Sequence, residues 1–335
     1  MIRSGVRTPT GQQWVKPDHD ALQHGFRIGA ASRLVRNDMV FPYEVTMRPS
    51  LKTHRIARLP GNRLHLQEGP SDLVIAAFGP KPRIERAYVA AEARFDGLLT
   101  ELAGELRLLR QPLDHQPPSL KGATAQRMAR ACWAFRSQYI TPMAAVAGAV
   151  ADTVLSAMLA AEPRLERAYV NNGGDIALHV TPGYPLDIGV VPSLARARPE
   201  GFLRLDPASH ARGIATSGWR GRSFSLGIAD AVTVLARSAA EADAAATVIA
   251  NAVDVKDAAI LRRPARELDP DNDLRGLAVT VEVGPLSPTA VATALENGVR
   301  VAQLLLSEGL IEGALLALAD EWRSVGGATS LTTSG

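Results

Sequence analysis

Regular spacing of apolar and polar residues begins near residue 62 and predicts strands first. Apolar and polar residues alternate over 63–67 and 72–77, and the glycine-proline pair between these segments predicts a hairpin. Apolar residues then recur at intervals of three and four over 84–109, which predicts one long amphipathic helix. The chain before residue 58 keeps neither period, so we expect a disordered extension there.

Helices and strands then follow one another without a regular repeat. Further helices are predicted over 123–139, from Thr141 and Pro142 onward, after a capping box formed by Ser238 and Glu241, and over 288–306. Further strands are predicted over 167–170, 175–180, 186–191, 213–215, 223–226, 231–236, 277–283 and 314–322. This order is neither a βαβ repeat nor all-β, so it favours an α+β fold in which mixed or antiparallel sheets are covered by helices.

Length and charge bound the domain organisation and the class of partner. The chain has 335 residues, 46% of them hydrophobic, which is enough to bury one large core. We expect a basic disordered extension over 1–58, a single domain over 59–325 and a flexible tail over 326–335. Residues 1–58 hold ten of the 37 Lys and Arg but only four of the 34 acids. The expected domain is therefore slightly acidic, which argues against nucleic-acid binding.

Cysteine usage and apolar segments predict a cytoplasmic protein. Cys132 is the only cysteine, so the chain has no internal disulfide and no Cys-x-x-Cys metal pair. No apolar stretch follows the charged residues 1–7, so we predict neither a secretory signal nor a membrane anchor. The most apolar segment, Pro142–Ala161, contains Asp152 and many small residues, and we predict a buried helix rather than a membrane span.

Three segments carry candidate binding chemistry for a phosphate-bearing ligand and a cation. A predicted strand leads into Asn-Asn-Gly-Gly-Asp-Ile at 171–176, where paired glycines can turn N–H groups toward an anion. A Thr-Ser-Gly loop at 216–218 offers hydroxyl donors. On a predicted helix, a carboxylate and a hydroxyl four residues apart share one face, which suits Mg²⁺. The candidate ligand-binding residues are Asn172, Gly173, Gly174, Asp175, Thr216, Ser217 and Gly218, and the candidate metal ligands are Asp243 and Thr247.

Each of these segments also has a purely structural interpretation. The glycine pair is equally typical of a hairpin turn, with Asp175 bracing it. The Thr-Ser-Gly loop is equally a polar strand end, and the acid and hydroxyl on the helix are equally a polar pair at an exposed edge. Three arginines flank the Thr-Ser-Gly loop, namely Arg212, Arg220 and Arg222, and they either meet phosphates or form a solvated rim.

Taken together, the three segments resemble the ApbE-like superfamily, whose best-known members use magnesium to transfer FMN from FAD to a threonine or serine of a target protein. The resemblance spans about residues 62–320 and rests on an Asn-x-Gly-Gly-Asp-Ile turn, a Thr-Ser-Gly loop and an Ala-Asp-x-x-x-Thr helix in the family's order. Segments 141–148 and 223–232 are similar to a shorter, uncharacterised bacterial and archaeal branch. The resemblance implies an ApbE-like fold, FAD as ligand, and Mg²⁺ near Asp243 and Thr247.

The chain departs from the FMN transferases at the place where they carry a His-x-x-Asp-Pro segment. That place reads Ser-Leu-Gly-Ile-Ala-Asp at 225–230, without a histidine. Transfer to a hydroxyl needs a positioned base, and Asp230 is the acid at the right place. An ion pair with a neighbouring arginine is the alternative role for Asp230.

Two kinds of function follow from this resemblance and its departure. The first is binding of FAD with Mg²⁺, followed by FMN transfer to a protein acceptor or cleavage at the pyrophosphate. The second is a non-catalytic accessory protein, in sulfur or one-carbon metabolism as the branch implies, that has kept the fold without the chemistry. A pocket for another phosphorylated cofactor is a third alternative, because anion-binding loops do not read the rest of a ligand.

Overall fold

The computed structural model describes residues 26–28, 55–190, 201–205 and 207–327. Its central element is a nine-stranded antiparallel sheet. Numbered in chain order, its strands are β2 (Arg55–Leu59), β3 (Arg63–Glu68), β4 (Ser71–Phe78), β5 (Arg167–Asn172), β6 (Asp175–Val180), β9 (Gly213–Ser217), β10 (Ala231–Ala236), β13 (Gly313–Leu318) and β14 (Glu321–Gly326). Across the sheet these strands follow the order β14-β13-β10-β9-β6-β5-β4-β3-β2.

Two smaller sheets accompany the large one. In the first, β7 (Leu186–Val190) pairs antiparallel with β8 (Gly201–Leu205) and parallel with β1 (Phe26–Ile28). The second is a hairpin of β11 (Ile260–Pro264) and β12 (Ala278–Val283). The helices are α1 (Lys81–Phe95), α2 (Leu98–Gly104), α3 (Leu106–Leu109), α4 (Ala123–Trp133), α5 (Val146–Ala161), α6 (Ala239–Ala252), α7 (Ala265–Leu268) and α8 (Pro288–Ser307), and a 3₁₀ turn at Pro142–Ala145 precedes α5. The predicted α+β class is confirmed.

Side-chain alternation along the strands separates two apolar layers. In β4, Leu73 and Ile75 face the helices and belong to the main core, whereas Ala76 lies in a second cluster on the opposite face. The second cluster is completed by residues of the small sheet, including Ile188. Polar side chains at the ends of these strands therefore have a defined face, which positions the site described below.

Helices α5 and α6 lie against each other on the helix-covered face and are rich in buried alanines. Pro142–Ala161 is long and apolar enough to span a membrane by length and composition, although 56% of its most apolar window is buried within the protein. A core helix passes the same test.

Several predicted elements differ from the structure for local reasons. The helix predicted over 84–109 is divided into three, because the chain turns at Gly97, where φ is +78°, and again at Glu105. The helix predicted over 123–139 ends at Trp133. The single strand predicted over 314–322 is the β13–β14 hairpin, whose turn residues Ala319 and Asp320 have φ of +50° and +63°.

One predicted strand is wrong, and four strands were not predicted, namely β1, β2, β8 and β11. Residues 223–226 are irregular, because their backbone and the Ser225 hydroxyl bond to other parts of the chain. Strand β11 was missed, and β2 contains the predicted boundary at residue 58, so the large sheet begins before that boundary. Apart from β1 and the start of β2, the predicted extension lies outside the described residues, as do residue 191 of a predicted strand and residues 328–335 of the predicted tail.

Candidate functional site

The glycine pair forms the turn of the β5–β6 hairpin, as one of the two interpretations predicts. Asn172 and Asp175 are paired across the turn, and Gly173 and Gly174 adopt φ of +68° and +117°. The Asn171 Oδ1 atom accepts a hydrogen bond from the Gly174 N–H at 2.9 Å. That N–H is therefore already bonded within the turn, and the hairpin serves to place Asp175 on the helix-covered face of the sheet.

Asn172 ties three segments together with its side chain. Its Oδ1 accepts from the Asp72 N–H at 3.2 Å, and its Nδ2 donates to the Ala147 carbonyl oxygen at 3.2 Å. The residue is 3% exposed. Because both ends of the amide are bonded to protein, Asn172 positions the site rather than offering donors to a ligand.

The Thr-Ser-Gly segment lies at the end of β9 and contributes differently at each residue. The Thr216 N–H donates to Asp175 Oδ1 at 3.3 Å, whereas its hydroxyl pairs with that of Thr233 at 2.9 Å on the opposite face of the sheet. Alternation places Ser217 on the same face as Asp175. A Cβ at Gly218 would come 2.5 Å from the Asp230 carbonyl oxygen, so this glycine permits close packing against β10.

The first turns of α5 and α6 cross and cap each other. Gly148 of α5 faces Ala239 of α6 so closely that a Cβ would stand 2.2 Å from the Ala239 carbonyl oxygen. The Gly148 N–H donates to Asp243 Oδ2 at 3.0 Å. In return, the N–H groups of Ala239 and Ala240 donate to the two oxygens of Asp152 at 3.1 and 3.0 Å. Each helix therefore supplies an aspartate to the N-terminus of the other.

Asp243 and Asp175 form what we call the carboxylate pair. Burial raises the pKa of Asp175 to about 7, against the lowering effects of the Thr216 N–H and Arg222. Burial and then the Asp175 carboxylate raise the pKa of Asp243 well above its usual range. Both residues keep some exposed surface, yet their carboxylates lie among protein atoms, so desolvation dominates. Each carboxyl of the pair therefore keeps its proton to a higher pH than an exposed aspartate does.

Thr247 follows Asp243 by one helical turn, as predicted. Its hydroxyl has no hydrogen bond to protein among the described residues, so its oxygen is available to a ligand. No group of three or more His, Cys, Asp or Glu side chains in that part of the chain is arranged to hold a metal. A cation here would therefore take its protein ligands from the carboxylate pair and the Thr247 hydroxyl, both oxygen donors.

Asp230 lies beside the Thr-Ser-Gly segment, and its carboxylate accepts three hydrogen bonds. Arg220 Nε and Trp219 Nε1 donate to Oδ1 at 2.5 and 3.3 Å, and the Ala319 N–H donates to Oδ2 at 2.8 Å. The Arg220 guanidinium also stacks 4.6 Å from the centre of the Trp219 ring. This geometry favours the ion-pair role over the role of base.

The segment in place of the family's histidine packs against the end of α6. Asn251 Oδ1 accepts from the Ser225 hydroxyl and from the Leu226 N–H, at 3.3 and 2.9 Å. A Cβ at Gly227 would stand 2.1 Å from the Ala250 carbonyl oxygen. These contacts are structural, and Asp230 is the one titratable side chain in this segment.

The three arginines near the site have separate roles. Arg212 donates to the carbonyl oxygens of Pro207, Ser209 and Ala211 in its own loop. Arg220 is bound to Asp230, as described above. Arg222 lies against Gly173, where a Cβ would come 2.0 Å from its Nη2. Of the three, Arg222 is the one that the fold brings to the β5–β6 turn.

Sequence reasoning missed Asp152 and the N–H groups of Ala147 and Gly148 as parts of this region. The segment 141–148 was recognised as distinctive, but nothing in its composition shows which carboxylate its N–H groups meet. The contact with Asp243 joins positions 95 residues apart along the chain. Only the packing of α5 on α6 reveals it.

Comparison with known proteins places the chain among relatives of uncharacterised function. A protein named UPF0280 from Methanothrix thermoacetophila is 38% identical over 143 residues, which cover 42% of this chain and 55% of the relative. Another UPF0280 protein, from Methanococcus vannielii, is 41% identical over 125 residues, covering 36% and 49%. The chain spans about half the length of these curated relatives.

Solved structures and a family model give the remaining comparisons. The flavinyl transferase ApbE of Pseudomonas stutzeri, in its apo form, is 14% identical with a TM-score of 0.40, covering 86% of this chain and 100% of that chain. The flavin transferase ApbE of Vibrio cholerae is 15% identical with a TM-score of 0.32, covering 83% and 97%. A family model described as AbpE bacteria matches residues 56–324. Because that match takes in most of the chain, the protein belongs to the AbpE bacteria family, and the recognition of an ApbE-like protein from its three motifs is confirmed.

Proposed function

We propose that this protein binds a flavin nucleotide, FAD, together with Mg²⁺, beside the carboxylate pair and the β5–β6 turn. The observation that carries the proposal is the carboxylate pair itself. Two desolvated carboxylates in mutual reach are costly unless they share a proton or a cation. The family's relation to flavin transferases favours a flavin nucleotide as the ligand that brings the cation. We further propose that the protein acts in the cytoplasm.

The available donors fit Mg²⁺. Asp175, Asp243 and the unbonded Thr247 hydroxyl are all oxygen ligands, which Mg²⁺ prefers. The ion usually completes its coordination with waters and substrate phosphates, so a site with few protein ligands suits a metal that binds with a pyrophosphate. When bound, Mg²⁺ supplies positive charge that stabilises the pyrophosphate and polarises it for cleavage.

Residues of the chain hold this site in place before any ligand arrives. The Gly148 N–H fixes the Asp243 carboxylate, and the Thr216 N–H fixes that of Asp175. Asn172 holds the end of β5 against both β4 and the start of α5. A site that is already oriented loses less conformational freedom on binding, which favours affinity.

FMN transfer to a protein hydroxyl, or cleavage at the pyrophosphate, is the reaction that we propose for bound FAD. A non-catalytic accessory protein that binds FAD or another phosphorylated cofactor is the second candidate. The engagement of Asp230 by three donors favours this second candidate, because the acid in place of the FMN transferases' histidine is already bonded to an arginine, a tryptophan and a backbone N–H. Release of FMN, or labelling of an acceptor protein by flavin, would select the reaction. Bound FAD that stays intact would select the accessory role.

The first experiment is a titration of the purified full chain with FAD, followed by flavin fluorescence, with Mg²⁺ and with a chelator. We expect binding that requires Mg²⁺ and is weakened about tenfold or more in Asp243→Asn, the scale of losing one charge-assisted contact. Glu296→Gln is the matched control, because it neutralises an exposed acid on α8. Wild-type protein that fails to bind FAD in either condition would overturn the proposal.

A further inference from the structure

Arg222 differs from the two neighbouring arginines because most of its donors are unused. It makes one hydrogen bond among the described residues, from Nη1 to the Pro70 carbonyl oxygen at 3.3 Å. A guanidinium has five N–H donors in a planar fork that matches phosphate oxygens. The side chain is exposed, so the remaining donors can reach a ligand from solvent.

Two turns of the large sheet hold the Arg222 guanidinium. The Pro70 carbonyl belongs to the β3–β4 turn, and Gly173 belongs to the β5–β6 turn. A Cβ at Gly173 would come 2.0 Å from Arg222 Nη2, whereas a Cβ at Gly174 would meet nothing within 4 Å. The absence of a side chain at Gly173 therefore makes room for the guanidinium at the rim of the site.

The Arg222 guanidinium places a positive charge near two carboxylates, those of Asp175 and Asp72. Burial raises the pKa of Asp175, while the Thr216 N–H and Arg222 lower it, so Arg222 acts on the Asp175 carboxylate. Arg222 also contributes to the lowered pKa of Asp72, for which the hydrogen bond from His65 is the main cause. Among the described residues, however, Arg222 has no ion pair within 4.0 Å of either carboxylate. The guanidinium therefore acts on Asp175 without an ion-pair contact to it.

We infer that Arg222 is the anion-binding residue of this site and that it selects ligands carrying a pyrophosphate over an uncharged flavin. This role rests on the proposed function for the location of the ligand, and it adds that the pyrophosphate is the group that the protein recognises. A cation at the carboxylate pair and an anion at the guanidinium match the two charges of a metal-bound pyrophosphate. The pyrophosphate oxygens accept hydrogen bonds from two N–H groups of Arg222 at once. A lysine does not reproduce this bidentate geometry.

Calorimetric titration with inorganic pyrophosphate, FAD and riboflavin, each with Mg²⁺, tests the inference. We expect Arg222→Gln to weaken pyrophosphate and FAD binding by about 10- to 100-fold, as for other hydrogen bonds to charged groups, and to leave riboflavin binding unchanged. Arg222→Lys restores part of the affinity. Arg263→Gln, which removes an exposed arginine from β11, is the control with the same change of charge and leaves all three titrations unchanged.

A pair of glycine variants tests the position of the guanidinium without changing its charge. Gly173→Ala places a methyl group where Arg222 Nη2 lies, so the flexible side chain is displaced and pyrophosphate affinity falls. Gly174→Ala meets no neighbour, but its φ of +117° is more strained for alanine. We expect Gly174→Ala to lower the melting temperature more and Gly173→Ala to lower pyrophosphate affinity more.

The outcomes separate this inference from the proposed function. If wild type binds pyrophosphate but not FAD, and Arg222→Gln abolishes that binding, the anion site stands and the flavin proposal fails. If Arg222→Gln is folded by its melting curve and binds pyrophosphate as wild type does, the inference is overturned. Failure of wild type to bind pyrophosphate overturns it as well, whatever FAD does.

Discussion

The first turns of α5 and α6 are each capped by an aspartate from the other helix, yet the two caps have different surroundings. Asp152 accepts two N–H groups of α6 and has an Arg127 guanidinium nitrogen 3.8 Å away. Asp243 accepts the Gly148 N–H of α5, and a second carboxylate, Asp175, acts on it. The same capping arrangement is thus partly balanced by a cation on one side and left beside a like charge on the other.

This difference distinguishes Asp152, a buried acid that stabilises the fold, from Asp243, which we propose as a ligand of a bound cation. Asp152 satisfies the N-terminus of a helix and has a positive neighbour, so its contribution is to hold α6 in place. Asp243 performs the same capping, but the repulsion from Asp175 remains unless a proton or cation arrives. A local conflict in an otherwise well-packed region is the expected mark of a binding site.

The largest expected effect comes from forcing the two helices apart. Gly148→Ala would place a Cβ 2.2 Å from the Ala239 carbonyl oxygen, and backbone at a helix crossing has no room to move aside. We expect a loss of about 3 kcal/mol in the free energy of unfolding, measured by urea denaturation. Gly104→Ala is the control, because that helical glycine meets no neighbour and alanine should be neutral or stabilising there. Equal stability of the two variants would show that the crossing tolerates separation.

Removal of the structural cap comes next. Asp152→Ala leaves the buried N–H groups of Ala239 and Ala240 without acceptors, and we expect a loss of about 2 kcal/mol in the free energy of unfolding. Asp152→Asn keeps one acceptor and should lose less. A wild-type denaturation curve for Asp152→Ala would contradict the assignment of this residue to stability.

Stability should also fall with rising pH in the absence of added metal. Burial raises the pKa of Asp152 to about 6 and that of Asp175 to about 7, so the folded protein holds protons that the unfolded chain releases at lower pH. Their contribution is fully present below about pH 4 and is lost as pH rises toward 6 and 7, by at most about 1.4 kcal/mol per pH unit for each group. Asp152→Asn should flatten the unfolding free energy below pH 6, and Asp175→Asn should flatten it up to pH 7. An increase in stability over this range would contradict the sign.

The smallest expected change in stability belongs to Asp243→Asn. Replacing the carboxylate by an amide removes one cap acceptor but also relieves the repulsion from Asp175, so without metal the two effects should cancel to within about 0.5 kcal/mol. The measurement is the melting temperature at pH 7.5 with and without Mg²⁺ and FAD. We expect ligands to raise it in wild type and not in the variant. A loss of stability as large as that in Asp152→Ala would show that the two caps contribute equally to the stability of the fold.

Local pattern was a good guide where the side chains themselves specify the element. The β3–β4 hairpin, the helix begun by Ser238 and the long helix α8 follow from alternation, capping and period. Predictions failed where the chain turns at residues that carry no strong signal. Ala319 and Asp320 take positive φ between two apolar strands, and the segment around Ser225, which bonds to Asn251, is irregular where a strand was predicted.

The candidate site shows the same contrast between what local motifs predict and what tertiary packing decides. The motifs identified Asp175 and Asp243 separately and assigned them different roles, one in the ligand loop and one at the metal. Their mutual repulsion and the effect of Arg222 on Asp175 depend on how β6, α6 and the 218–230 loop pack together. Asp230, predicted as the base, lies in the expected place but is engaged by a tryptophan, an arginine and a backbone N–H.

The sequence by itself determined the fold class, the superfamily and a set of candidate site residues, because periodicity, caps and short motifs are local properties of the chain. The tertiary structure alone decided which of those residues are free to act. Whether a carboxylate is neutralised, whether an arginine has unused donors and whether a glycine admits another side chain all depend on neighbours brought together from distant positions. Electrostatic and steric interactions act through space, and the order of residues along the chain does not report those distances.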